Sequence, residues 1–357
     1  MRKGEIIRGY EILKDSAPVG GRGEISFAKK GGKEYFIKVF LSPKYPVDGA
    51  PGSPKTKAEK RKRCDLFEQQ QKQLNDKIAT KCALGGNLVY AIDFFRHNTS
   101  YYKINEKVDV SSLKAKDVAK LSKDKILIIL KTLTHSLKIL HDLGIVHGDL
   151  KPDNILIKRT ETGGYTTKLI DFDDSYFNGN PPDFSEIVGT PEYYSPELLE
   201  YIRDTGKYSK SDLTVKSDIF TLGLIFTEYL CGERPKVNDK YSSVAHSVED
   251  GNVVEIKGLP TSLSSLLNSM MHKDQAKRPN IGEVFSTLKS SDIKVTKIGT
   301  SVTPPKPIET PTHSIGTIIF SKNLNPDGKK VETKTTPPPI VEAGRPTIKI
   351  GKGLKPS

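Results

Sequence analysis

Apolar positions recur along this chain in two different periods, and the change of period divides it. Between residues 10 and 40 they alternate with polar positions, as in strands with one buried face. The alternation predicts strands over residues 10–19, 24–29 and 34–40. Gly20-Gly21-Arg22-Gly23 separates the first two, and Gly31-Gly32 makes a tight hairpin into the third. Residues 41–56 are rich in Pro, Gly and Ser and read as a loop. A helix is predicted over 58–78. The charge run over 57–63 at its front reads as a solvated helix face. Residues 88–96 and 101–105 read as two more strands, joined by the polar turn His97-Asn98-Thr99. The period then lengthens to that of a helix. Ile126, Ile129, Leu130, Leu133, Leu137 and Leu140 form one stripe over 123–141, and Gly144 stands just past its end. Residues 219–231 are apolar on nearly every side, which predicts a helix buried at a domain centre.

Composition changes the picture at the C-terminal end. Only 35% of the 357 residues are hydrophobic, and 10 of the 23 prolines fall after residue 300. The segment 291–357, rich in Pro, Thr and Lys, is expected to be a largely disordered tail. The remainder suffices for one two-lobed domain or two ordinary ones. The net charge of +13 favours acidic partners, whether nucleotide phosphates, nucleic acid or acidic protein, without choosing among them. Cys64, Cys82 and Cys231 are widely spaced, which argues against a zinc site or a disulfide framework and fits a reducing compartment. The N-terminus has no long apolar run, and 219–231 is too short to span a bilayer. A cytoplasmic protein without membrane or nucleic-acid partners is expected.

The chemistry concentrates in His147-Gly148-Asp149-Leu150-Lys151-Pro152-Asp153-Asn154 and in Asp171-Phe172-Asp173-Asp174, which starts 17 residues after Asn154. Phosphoryl transfer needs a carboxylate to orient the attacking hydroxyl. It also needs oxygen ligands for a divalent cation and a positive charge near the transferred group. Asp149, then Asn154 with Asp171, then Lys151 suit those roles. These two stretches resemble the catalytic and metal-binding loops of the protein kinase family.

The resemblance extends over residues 8–290. Gly21-x-Gly23-x-x-Ser26-x-Ala28 is similar to the family's glycine-rich loop, with Ser26 in place of the third glycine and Ala28 in place of valine. Lys38 lies inside an apolar strand, where an ammonium needs a partner, and the family implies that it faces the α- and β-phosphates. The resemblance implies a glutamate on the following helix to pair with Lys38. Glu68 is the first candidate and Glu59 the second. Residues 104–108 would be the hinge that holds adenine through backbone groups. His147 would be architectural. Gly148 stands where many kinases have an arginine for an activation-loop phosphate, which implies activity without phosphorylation of that loop. Asp173 stands where kinases usually have glycine, either as an outer group of the metal site or as an exposed loop acid.

Downstream, Gly189-Thr190-Pro191-Glu192-Tyr193-Tyr194-Ser195-Pro196-Glu197 resembles the end of a protein-kinase activation loop. Ser217-Asp218-Ile219-Phe220-Thr221-Leu222-Gly223 resembles the family's central helix, and Lys277-Arg278-Pro279 its late arginine motif. A buried Glu197–Arg278 ion pair is implied, as are backbone donors from the catalytic loop for Asp218. Thr190 would contact Asp149 and Lys151. Lys151 also matches serine/threonine rather than tyrosine kinases. Ser175, Tyr176 and Ser185 are hydroxyls in the activation segment.

The expected fold is α+β and bilobal: an antiparallel-sheet N-lobe with one main helix over about 8–105, a mostly helical C-lobe over about 109–290, and the tail. The implied activity is transfer of the ATP γ-phosphate to serine or threonine of protein substrates, and to itself. Asp149 and Lys151 would be catalytic. Gly21, Gly23, Ser26, Lys38 and Glu68 would hold the nucleotide. Asn154 and Asp171 would bind Mg²⁺, with Mn²⁺ as an alternative. The compact catalytic loop suits a bacterial source. Thr303, Thr310 and Thr336, each followed by proline, would be phosphorylated to recruit a phosphothreonine-binding partner. Small-molecule phosphotransferases share His-Gly-Asp and Ile-Asp-Phe-Asp, and a pseudokinase scaffold is the other alternative.

Overall fold

The computed structural model describes residues 1–290 apart from 20–22, 48, 50, 83–86, 109–111, 188, 255 and 257. The expected tail lies outside the described residues. The chain starts with β1 (Ile6–Ile7), β2 (Tyr10–Ile12), β3 (Ala17–Val19), β4 (Gly23–Lys30) and β5 (Lys33–Phe40). Helix α1 (Pro54–Cys82) follows, then β6 (Ala91–His97) and β7 (Ser100–Glu106). These strands form one antiparallel sheet in the order β1-β2-β4-β5-β7-β6, with β3 also beside β4.

The single strand expected over 10–19 is therefore two short ones, since Leu13 to Ser16 turn away between β2 and β3. The loop expected to reach residue 56 ends earlier. Pro54 opens the helix, where its fixed φ and missing N–H cost nothing, and the Ser53 hydroxyl accepts from the Thr56 N–H.

The sheet buries both faces. On the outer face Tyr10, Ile12, Ala28, Ile37, Phe95, Tyr102 and Ile104 form one cluster. On the inner face Phe40 and Tyr101 pack with Cys64, Phe67 and Phe94, which seats α1. Buried positions on α1 are Cys64, Gln71, Leu74, Ile78 and Cys82, at helical spacing.

The second lobe contains α2 (Ala115–Val118), α3 (Lys123–Asp142), β8 (Ile145–Val146), β9 (Ile155–Arg159), β10 (Tyr165–Leu169) and β11 (Tyr176–Phe177). It continues through α4 (Pro196–Ile202), α5 (Val215–Cys231), α6 (Val244–Glu249), α7 (Thr261–Met270) and α8 (Ile281–Lys289). Together these make the bilobal arrangement of a curled sheet beside a mostly helical lobe. Gly144, at φ 66°, ends the run after α3 as the sequence requires. No helix among the described residues is long and apolar enough to cross a membrane.

Helix α5 is the lobe's centre. Its residues from Ser217 through Thr227 are all buried. At its N-terminal end the Asp218 carboxylate accepts from the backbone N–H of His147 at 2.7 Å and of Gly148 at 3.4 Å, and lies 3.0 Å from His141 Nε2. The backbone donors expected for this aspartate are thus in place. Arg278 makes a two-pronged ion pair with Glu197, at 2.7 and 2.8 Å, and also donates to the carbonyls of Lys216, His272 and Lys273. Both side chains are essentially fully buried.

Removing one partner of such a pair leaves the other charge in the interior without compensation, which costs about 3–5 kcal/mol. Arg278→Met is expected to lower unfolding free energy by that order in urea denaturation. A variant as stable as wild type would show that the pair contributes little.

Candidate active site

The residues of the loop from His147 to Asn154 meet because three short elements hold them. Strand β8 leads into the loop, a 3₁₀ turn over Pro152–Asn154 reverses the chain, and β9 carries it away. Lys151 Nζ lies 2.6 Å from Asp149 Oδ2 and 3.0 Å from Thr190 Oγ1. Asn154 Nδ2 donates to the Asp149 backbone carbonyl at 2.7 Å and to Oδ2 at 3.2 Å. That orientation leaves Asn154 Oδ1 as an acceptor. Asp149, Lys151, Asn154 and Thr190 therefore form one hydrogen-bonded group.

His147 is completely buried, and burial holds its imidazole pKa below the ordinary value against the pull of Asp218. Its ring rests 5.3 Å from that of Phe172, and its carbonyl accepts from Ser175 Oγ. Ser175 and Tyr176 are both buried, so neither presents a hydroxyl to solvent in this conformation, whereas Ser185 is exposed.

The sheet contributes Lys38, but its partners differ from the expected ones. Lys38 pairs with Asp173 and lies 3.6 Å from Asp171 Oδ1. Glu68 is taken by Lys72, one helical turn on, at 2.6 Å, and makes no ion pair with Lys38. The expected Lys38–Glu68 pair is absent for a geometric reason. Glu68 is not on the buried stripe of α1, where the residue nearest to it is Gln71. Glu59, the other candidate, lies on the exposed N-terminal stretch of the same helix.

A second lysine completes the cluster. Lys103 on β7 stands directly opposite Lys38 on β5, so the two side chains leave the same face of the sheet. Asp173 bridges them, with Oδ1 2.6 Å from Lys103 Nζ. The Asp173 side chain is 2% exposed, and those of Lys38 and Lys103 are 10% and 9%. Burial alone would raise the Asp173 pKa, but Lys103 and Lys38 outweigh it and hold the carboxyl well below the usual range. Burial would lower Lys38, yet Asp173 and Asp171 hold its ammonium above the ordinary lysine value. Asp173 is thus not an exposed acid but the buried counter-ion of two lysines. The side chain of Asp171 is 36% exposed and turned to the cleft, and desolvation together with Asp173 raises its pKa.

Strand periodicity corrects the glycine-loop frame. Ser26 pairs with Ile37 and Ala28 with Tyr35, so both side chains lie on the face opposite Lys38. The Ser26 hydroxyl donates to the Lys14 carbonyl at 2.5 Å and points away from the face of Lys38. Gly23, Ile25 and Phe27 share the face of Lys38, and Phe27 packs edge-on against Phe36 across the strands. Gly23 has a specific steric role. A Cβ there would lie 2.6 Å from the Val39 carbonyl oxygen and 3.2 Å from Lys38 Cε. Gly21 lies outside the described residues.

Lys103 was not singled out from the sequence, although the same signal that marks Lys38 was present: a lysine inside the apolar run Tyr101-Tyr102-Lys103-Ile104. Gln71 carried no signal, because glutamine on a polar helix looks solvated.

Asn154 and Asp171 are neighbours where β9 and β10 pair, the Asn154 carbonyl accepting from the Ile170 N–H at 3.0 Å, and Asn154 Oδ1 with the Asp171 carboxylate is a set of hard oxygen donors suited to a magnesium-type ion completed by phosphate oxygens. Among the described residues no cluster of three His, Cys, Asp or Glu forms a metal site by itself.

A sequence model of the protein kinase domain matches residues 55–288, starting inside α1 and leaving out the five strands before it. The ovarian-specific serine/threonine-protein kinase Lok of Drosophila melanogaster is 31% identical over 171 residues, 47% of this chain and 34% of that protein. The probable cAMP-dependent protein kinase catalytic subunit of Encephalitozoon cuniculi is 35% identical over 143 residues, 40% of either chain. Calcium-dependent protein kinase 24 of Arabidopsis thaliana is 35% identical over 126 residues, 35% of this chain and 20% of that protein. The chain thus spans between a fifth and two fifths of the length of these relatives.

The geometry separates two substitutions. Gly23→Ala is expected to push the β4–β5 pairing apart and weaken ATP binding at least about fivefold, roughly 1 kcal/mol by the affinity relation. Glu68→Gln removes only an exposed pair worth about 0.3–0.5 kcal/mol and should leave ATP affinity within about twofold. Calorimetric titration of ATP into both variants checks this, and the opposite ranking would restore Glu68 as the partner of Lys38.

Proposed function

The chain belongs to the protein kinase domain family, and from that premise we propose that it is an active serine/threonine protein kinase, its kinase domain covering about residues 8–290. The observation that supports this best is the hydrogen-bonded group of Asp149, Lys151, Thr190 and Asn154, with Asp171 beside Asn154 and Lys38 across the cleft. In this reading Asp149 orients the acceptor hydroxyl and receives its proton. The hydroxyl oxygen bonds to the γ-phosphorus as the bond from that phosphorus to the β–γ bridging oxygen breaks, and ADP leaves. Lys151, tied to both Asp149 and Thr190, keeps a positive charge beside the transferring group. Lys38 holds the α- and β-phosphates. Asn154 Oδ1 and Asp171 hold Mg²⁺, or Mn²⁺ in its place, which when bound neutralises charge on the phosphates. The buried Glu197–Arg278 pair supports a protein acceptor over a small molecule, because it anchors the segment after Thr190.

Gly148 bears on regulation. Its φ is 80°, and a Cβ would lie 2.2 Å from the Asp174 carbonyl oxygen. An arginine cannot stand there unless the backbone moves. The activation segment is held instead by ties that need no phosphate. Arg63 pairs with Glu186 at 2.6 Å, Lys210 with Asp183 at 2.5 Å, and the Tyr201 hydroxyl donates to the Pro182 carbonyl. We infer activity without phosphorylation of this segment. Thr303, Thr310 and Thr336, outside the described residues, are in this reading sites of autophosphorylation that recruit a phosphothreonine-binding partner.

Wild type incubated with γ-labelled ATP and Mg²⁺ should label serine or threonine on itself and on a basic protein acceptor. Asp149→Ala should lower the rate at least about 1,000-fold while still binding ATP, the scale expected when an orienting and proton-accepting group is removed. ATP binding with no labelling by wild type would turn attention to small-molecule acceptors, and no ATP binding to a scaffold role. Phosphatase-treated protein should transfer phosphate to the basic acceptor at the untreated rate, and mass spectrometry after renewed incubation should find phosphate on the tail threonines. Loss of activity on dephosphorylation would refute independence of the activation segment, and an unmodified tail would refute the recruitment reading.

A further inference from the structure

In the kinase pattern the nucleotide-binding lysine is paired with a carboxylate on the N-lobe helix. Here that helix offers none at the place where it faces the lysine. The residue of α1 buried against this region is Gln71, which lines the same small cavity as Lys103, Leu74 and Phe172. The carboxylate comes from the metal-binding loop instead, two residues after Asp171.

We propose that Asp173 is the positioning residue for Lys38, that Lys103 is the counter-charge that keeps Asp173 in place, and that this triad substitutes for the helix–lysine ion pair. The proposal rests on the kinase reading of the cleft. Two lysines directly opposite on neighbouring antiparallel strands repel, and repel more strongly when buried. Asp173 lies between them, with one carboxylate oxygen on each. Asp173 so offsets the repulsion between the two ammonium groups and holds Lys38 from the side of the loop.

The arrangement changes what controls the site. A lysine paired to a mobile helix is set by where the helix lies. Here Lys38 is set by the turn Asp171-Phe172-Asp173, the same turn that presents Asp171 to the metal. Phe172 is buried in the main core against His147, so this turn is seated by the C-lobe. Posture of Lys38 and presentation of Asp171 thus become one event, decided by one loop.

The test uses full-length protein and two readouts: ATP affinity by calorimetry in EDTA, and kcat and KM for ATP with Mg²⁺. Asp173→Gly, which restores the residue usual in the family, is expected to weaken metal-free ATP binding at least tenfold and to raise KM more than it lowers kcat. Adding Gln71→Glu returns a carboxylate to the cavity from the helix side and should recover at least a third of the lost affinity on a logarithmic scale. Lys103→Met/Asp173→Asn removes the outer charge pair together, so it should fold even where single variants fail, and it should show the same loss of affinity. Wild-type affinity in a folded Asp173→Gly or Lys103→Met/Asp173→Asn variant would overturn the proposal, as would a Gln71→Glu addition without recovery. Wild type that transfers no phosphate marks failure of the kinase reading itself, whereas active wild type with unaffected variants marks failure of this inference alone.

Discussion

Two ammonium groups leave the same face of one sheet, side by side and almost without water. Lys38 and Lys103 would repel one another in that setting, and the sheet would have to open or hydrate to relieve them. Asp173 removes the difficulty by reaching up from the other lobe and taking one lysine on each oxygen. The N-lobe sheet and the loop Asp171-Phe172-Asp173 therefore depend on each other electrostatically. The cleft between them is organised around this charge cluster, with Asp171 at its open edge.

The loop from His147 to Asn154 has a comparable dependence on the C-lobe interior. Helix α5 is buried on almost every side, so Asp218 at its start needs donors, and the backbone of His147 and Gly148 supplies them. That bond fixes the loop from below. From above, Lys151 and Asn154 converge on Asp149. Gly148 belongs to this frame as well, because its left-handed backbone lets the Asp174 carbonyl pass where any side chain would collide. Residues on both sides of the cleft are thus held by groups whose burial would be costly without them.

The sequence by itself determined the main strands and the long helices, and it grouped the residues of the candidate site in the C-lobe. Its two hydrophobic periods marked the strands and the long helices, because side-chain period follows directly from backbone geometry. Asp149, Lys151, Asn154 and Asp171 were legible because they lie in short contiguous motifs, and Glu197 with Arg278 because both motifs arrived in order. The N-lobe was less legible. Glycine spacing points Ser26 to the cleft, but the register of β4 against β5 turns it to the outer face. Position on a helix offers Glu68 to Lys38, yet the rotation of α1 gives it to Lys72.

What only the tertiary structure decided is which charges meet. Strand register put Lys103 opposite Lys38, residues 65 positions apart in the chain. The seating of Phe172 then brought Asp173 between them, from 70 residues beyond Lys103. A sequence records that a lysine lies in an apolar strand and therefore needs a partner. It does not record the partner, because ion pairing depends on distances of a few ångströms between segments whose approach is set by packing of the whole domain.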